Sequence, residues 1–238
     1  MVGIEEIKKV AEILLEYVPA TLKLFGATLL FSIPLGMIVA LLRKCKIKPI
    51  EWIVSFYILI MRGTPLMLQV IAIYYAIPFI QTSDSLENMP GFLQTLVGLV
   101  DIRDAGYMFN AVCVAFTLNY AAYFAEIFRG GIEAISKGQY EAAACLGFTK
   151  TQTFFRIILP QVVKRIVPAS SNEVITLIKD TSLANIIAYE EIILKAKQQM
   201  QLYSSLVPLF IAGIFYLIST IVLTTLFSFI EKKLDYYK

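Results

Sequence analysis

Between Pro19 and Leu42 the chain reads PATLKLFGATLLFSIPLGMIVALL, in which Lys23 is the one ionisable side chain. A bilayer core about 30 Å thick takes roughly 20 apolar residues of helix to cross. Within it every backbone N–H and C=O must be paired inside the segment or within a closed barrel. A run of this length and polarity therefore folds as a membrane-crossing helix. Five such runs are predicted, over residues 19–42, 51–80, 106–128, 162–189 and 206–230. Composition agrees: 58% of the 238 residues are hydrophobic and 16% charged, against roughly 45–50% and 25% in a soluble domain. The expected fold is an all-α integral membrane protein, a single transmembrane domain over residues 1–238.

The runs are punctuated. Residues 3–18, GIEEIKKVAEILLEYV, gather Ile4, Ile7, Val10, Ile13, Leu14 and Tyr17 on one helical face, predicting an N-terminal amphipathic helix lying along the interface. It is not a signal peptide, since acidic residues open it and no small-residue cleavage site follows a short apolar core. Arg43, Lys44, Lys46 and Lys48 follow the first span and mark the inner side. The second run is interrupted at Arg62-Gly63-Thr64-Pro65 and reads as a broken element. Residues 81–105 carry Asp84, Glu87, Asp101, Arg103 and Asp104 and read as an outside loop with a short helix from Phe92 to Val100. With five spans, 13 of the 21 lysines and arginines fall inside and five outside, namely Lys8, Lys9, Arg103, Lys195 and Lys197. That asymmetry puts the N-terminus outside and the C-terminus inside.

Several chemistries are excluded. No stretch matches the phosphate-cradling GxxxxGK[ST] pattern, there is no histidine, and Cys45, Cys113 and Cys145 lack metal-ligand spacing. Catalytic and metal residues are therefore expected to be absent. A formal charge of +3 scattered over loops argues against a nucleic-acid partner.

Two stretches carry the candidate function. Residues 130–161 lie inside and are far longer than the roughly 2–8 residues a turn between helices needs. Glu133–Leu146 reads as a helix ended by Gly147, and Thr149 caps a second helix that stops before Pro160. The knob so formed is polar enough to face something outside the bilayer. In the fourth span, Arg165, Ala169, Asn172, Glu173, Thr176, Lys179 and Asp180 fall within an arc of roughly 120°. Ionisable groups at that depth face a bundle interior or a watery cavity. Glu173 and Asp180 stand about 10 Å apart along the axis, a spacing that suits an ammonium group and a cationic side chain. The competing account has Asp180 paired with Lys179 or Arg62, Glu173 bonded across a dimer, and the stripe gluing helices. Arg62 can equally snorkel at a helix end. Tyr74, Tyr75, Tyr120 and Tyr123 read as interface anchors or packing.

Glu141-Ala142-Ala143, Gly147, Ile157 and Leu159-Pro160, at these spacings, resemble the EAA loop of the membrane subunits of bacterial ATP-binding-cassette importers. Arg62-Gly63-Thr64-Pro65, the run from Asn119 through Tyr120, Ala121, Ala122 and Tyr123 to Glu126, Arg129-Gly130-Gly131 and Lys179-Asp180-Thr181-Ser182-Leu183 are similar to the polar amino acid permease branch. The likeness extends from about Pro19 to the C-terminus. It implies a multi-pass permease in the bacterial cytoplasmic membrane, paired with an identical or related second permease subunit. Two separate ATPase subunits would hold ATP and Mg, and an extracellular solute-binding protein would deliver an amino acid, so this chain is not itself an enzyme. Glu141, Ala142, Ala143, Gly147, Leu159 and Pro160 would dock the ATPase. Glu173, Asp180, Asn172, Thr176 and Arg62 would meet substrate, with cationic amino acids favoured. Neutral amino acids, cystine, short peptides or another small solute are the alternatives within this class, and a channel or membrane enzyme the alternative outside it. The 81–105 loop is longer than the branch usually has.

Overall fold

The computed structural model describes residues 4–45, 47–83 and 89–234. The inner-side lysines Lys46 and Lys238 and the loop acids Asp84 and Glu87 lie outside them. Every regular element among the described residues is helical: α1 (Ile4–Leu15), α2 (Val18–Arg43), α3 (Lys48–Gly63), α4 (Leu66–Thr82), α5 (Gly91–Gly98), α6 (Tyr107–Glu133), α7 (Lys137–Cys145), α8 (Lys150–Thr153), α9 (Leu159–Asp180), α10 (Ile192–Tyr203) and α11 (Val207–Leu234). A π-helical stretch, Phe154–Ile158, joins α8 to α9, and a 3-10 stretch, Thr181–Ile187, follows α9.

The core is built around α6. Of its most apolar stretch 67% is buried, against 11% for α11, which places α6 at the centre and α11 at the rim. Phe116, Tyr120 and Phe124 are enclosed, and α2, α3, α4 and α9 all pack on this helix. The α2–α6 contact depends on small side chains. A Cβ at Gly36 would lie 2.7 Å from Phe124 Cβ and 3.0 Å from the Ala121 carbonyl oxygen. On the α9 side a Cβ at Gly131 would lie 2.2 Å from Ile166 Cγ2, so these helices also approach through a glycine.

Among the described residues, three helical stretches are long and apolar enough to cross a membrane, and a fourth if the bent pair α3–α4 counts as one crossing. At 22 residues α9 has the length of a span, but Lys164, Arg165, Glu173, Lys179 and Asp180 all sit on it. Its polar face hides it from a test of apolarity. Residues 162–189 were expected to form one helix. α9 instead begins at Leu159 and ends at Asp180, and the chain tightens into the 3-10 stretch before Ala188 turns it with a left-handed φ of 61°.

The expected N-terminal amphipathic helix forms as α1, and a two-residue turn, Glu16 and Tyr17, separates it from α2. Val10 and Leu14 are buried with Ile192, Ala196 and Ala212, so part of its apolar face is taken up by α10 and α11. α10 falls between the predicted spans 162–189 and 206–230 and was not among the expected helices. The helix is held by Glu191, fully buried, whose carboxylate accepts from the backbone N–H groups of Ile193 and Leu194 at 2.8 Å and from the Tyr216 hydroxyl at 3.1 Å. Burial pushes that carboxyl up, and these donors pull the other way.

Candidate functional site

The break in the second run supplies the site's floor. Thr64 precedes Pro65, and a residue before proline is driven out of the helical region. Both are extended, at φ −118°, ψ 150° and φ −62°, ψ 132°, and α3 and α4 meet at a bend of 111°. A helix end deep in a core needs partners for its last carbonyls. Gln69 Nε2 donates to the Met61 carbonyl at 3.0 Å and to the Thr64 hydroxyl at 2.8 Å. Asn119 Nδ2 donates to the same Met61 carbonyl at 2.8 Å and to Gln69 Oε1 at 3.0 Å. Asn119 is the thirteenth of the 27 residues of α6, so the break lies beside the middle of the central helix and not at its end.

Arg62 is the last charged residue before that break. Its guanidinium lies 5.2 Å from the centre of the Tyr123 ring and 3.9 Å from Glu126, and it is close enough to Glu173 to act on its charge. Glu126 also takes Arg129 at 2.7 Å and pairs with Arg43. One carboxylate thus ties the end of α2, the end of α3 and α6 together.

On α9, Arg165, Ala169, Asn172, Thr176 and Lys179 are exposed, while Glu173 and Asp180 are half-buried. The stripe is therefore turned outward from this chain, with its two carboxylates at the edge nearest α6. Asp180 accepts a hydrogen bond from the Tyr120 hydroxyl at 2.7 Å. Among the described residues no ion pair joins Asp180 to Lys179 or Arg62, although Lys179 lies near enough to act on its charge. Tyr120 is thus neither an interface anchor nor plain packing: at 2% exposure it holds one of the two carboxylates. Sequence reasoning gave Asn119 and Gln69 no part in the site and read Tyr120 only as an anchor or packing. Their signal was the isolation of polar groups in apolar runs, Asn119 especially.

The knob of residues 130–161 forms with a shifted boundary. The helix expected over Glu133–Leu146 is divided, because α6 runs on to Glu133 and α7 starts at Lys137. Gly147 has φ 77°, its N–H bonds to the Ala144 carbonyl and that of Phe148 to the Ala143 carbonyl, both at 3.0 Å. This is the two-bond Schellman ending, which needs a left-handed residue. Thr149 and Gln152 cap each other's backbone as a capping box.

The second helix does not stop before Pro160. It continues through the π stretch into α9, with Pro160 in the first turn, where a missing N–H costs little. Glu141, Ala142, Gly147 and Pro160 are exposed, Leu159 is half-buried, and Ala143 is buried at 1%. Leu146 and Phe155 stand out at 75% and 61% exposure. The knob therefore offers apolar groups that this chain leaves uncovered. It rests on α9 through Ile135, Ile158 and Val162.

Residues 32–236 match the family model described as "Binding-protein-dependent transport system inner membrane component". The chain is 35% identical over 222 residues to the arginine transport system permease protein ArtQ of Bacillus subtilis, covering 93% of this chain and 92% of that one. It is 36% identical over 219 residues to the L-cystine transport system permease protein TcyB of the same organism, covering 91% and 84%. A solved structure, titled as an amino acid ABC transporter with histidines, superposes with a TM-score of 0.80 at 28% identity over 98% of this chain and 99% of that one. From its apolar helices, its exposed knob and these likenesses together, the chain belongs to the family of binding-protein-dependent transport system inner membrane components.

Proposed function

We propose that this chain is the permease subunit of an ATP-driven amino-acid importer, with cationic amino acids as its substrates. The observation that carries the reading is the pairing of Glu173 and Asp180 on the outward-turned stripe of α9, beside a helix break at mid-core. Two carboxylates at that depth offer one partner to an α-ammonium and another to a cationic side chain, and the polar Asn172 and Thr176 on the same stripe can take hydrogen bonds. The arginine permease among the relatives supports the choice. The cystine permease keeps a neutral, zwitterionic substrate as the second reading.

In this proposal α2, the bent pair, α6, α9 and α11 make five crossings, with the N-terminus outside and the C-terminus inside. Two permease subunits face each other across their α9 stripes. Two cytoplasmic ATPases, carrying ATP and Mg, receive the knob at Glu141, Ala142, Ala143 and Gly147, with Leu159 and Pro160 where the knob joins α9. An extracellular solute-binding protein delivers substrate, and Arg62 lies where it can meet the substrate's carboxylate.

Equilibrium binding of radiolabelled arginine, lysine, histidine, glutamine and cystine to the purified permease–ATPase complex tests the reading. Glu173→Gln removes a charged hydrogen bond of about 1.5–3 kcal/mol, so arginine affinity should fall roughly ten- to a hundredfold. Equal affinity in the variant, or binding confined to neutral amino acids, would remove the carboxylate site.

A further inference from the structure

Glu191 caps α10, accepting from the backbone N–H groups of Ile193 and Leu194. That position favours serine, threonine, aspartate and asparagine, whose short side chains reach the backbone just ahead of them. Glutamate is one methylene longer than aspartate. Its reach lets Oε2 accept from the Tyr216 hydroxyl on α11 at 3.1 Å while still taking the Ile193 N–H at 2.8 Å. Glu191 is fully enclosed, and a carboxylate taken wholly out of water is tolerated only where donors match its oxygens. Three donors from two helices meet this one.

The knot extends beyond α11. The Tyr216 hydroxyl also meets that of Thr181, itself fully enclosed and donating to the Ile178 carbonyl at 2.7 Å. Thr181 follows Asp180 directly and opens the 3-10 stretch. A second tie crosses from α10 to that stretch, where Lys197 Nζ donates to Asn185 Oδ1 at 2.7 Å. On the α2 side, the Thr21 hydroxyl accepts from the Ile192 N–H and the Tyr189 hydroxyl donates to the Ala20 carbonyl, both at 3.5 Å. The segment after the α9 stripe is therefore held from α2, α10 and α11 together. Its first link lies one peptide from a carboxylate of the candidate site, and on the other side that carboxylate takes the Tyr120 hydroxyl at 2.7 Å.

We propose that Glu191 is a positioning residue for transport: through Tyr216 and Thr181 it sets the end of α9 and so fixes where Asp180 presents its carboxylate. Glu191 itself touches no substrate. This role deepens the reading of Asp180 as a substrate ligand and rests on it.

The test is equilibrium binding of radiolabelled arginine and cystine to the purified permease–ATPase complex, with unfolding temperature and elution volume recorded for every variant. Glu191→Asp keeps a residue suited to cap α10 but draws the carboxylate back from Tyr216, and Tyr216→Phe removes the hydroxyl alone. Each should lower affinity about three- to tenfold. The double variant should fall no further than either single one, because both changes cut the same tie. Asp180→Asn, the direct change, should cost more than any of them. Losses that add in the double variant would show the two residues acting apart and overturn the tie. A lower unfolding temperature with wild-type affinity would reduce Glu191 to a cap of α10 and overturn its positioning role. Wild-type affinity in Asp180→Asn, or a wild-type complex that binds neither amino acid, would remove the site reading and this inference together. A loss in Asp180→Asn beside normal affinity in Glu191→Asp and Tyr216→Phe would remove this inference alone.

Discussion

Gly36 and Glu126 show how much a single position carries in a chain of this kind. Gly36 lets α2 lie against α6 at a distance no Cβ tolerates, with Phe124 and the Ala121 carbonyl in the way. Gly36→Val should cost about 1–3 kcal/mol of stability, read as a lower unfolding temperature of the purified complex; an unchanged temperature would mean that the helices part freely. Glu126 acts through charge: with Arg43, Arg62 and Arg129 around it, its carboxylate is the common partner of three guanidinium groups. The sequence displayed those residues but not their convergence, because they come from three helices, with Arg43 and Glu126 83 positions apart. Glu173 and Asp180 were legible from one helix alone, since helical periodicity reports which side chains share a face. Their neighbours Tyr120 and Arg62 belong to other elements, and no local pattern carries that information.

At the scale of elements, the break between α3 and α4 is held open by side chains of its neighbours. Gln69→Leu removes donors to the Met61 carbonyl and the Thr64 hydroxyl in a buried setting, where each unsatisfied polar group costs about 1–3 kcal/mol. Transport should fall with little change in membrane insertion, since the helices stay apolar; wild-type uptake would show that Asn119 alone suffices as the latch. That a break exists could be seen in Arg62-Gly63-Thr64-Pro65, because proline fixes the backbone before it. Its depth could not, because depth is set by packing against α6. Pro160 teaches the converse. Proline stops a helix when it comes late in one, yet it suits a first turn, and the π stretch before it lets the helix begin anew. α10 escaped notice because its sequence, IILKAKQQMQLY, is too short and too polar to signal a crossing, and because its anchor is a buried glutamate from the preceding turn.

For the molecule as a whole, the proposed docking of the exposed knob is what would carry events in the ATPase to the membrane. Glu141→Lys reverses a charge on its exposed face, and Gly147→Asp forces a side chain into a left-handed backbone at φ 77°, a conformation costing about 1–3 kcal/mol for ordinary residues. Both should lower uptake and co-purification of the ATPase while leaving substrate binding to the permease intact. Undiminished uptake together with undiminished ATPase recovery would refute the docking role.

The joined α1 and α2 bear on the same question mechanically. The two helices, 12 and 26 residues long, reach together up to roughly 57 Å at 1.5 Å per residue, nearly twice the thickness of a hydrocarbon core. One end is seated among Ile192, Ala196 and Ala212, and the other holds the arginine that reaches Glu126. Only the two-residue turn at Glu16 and Tyr17 separates them, so a tilt of one is handed to the other through a single short hinge.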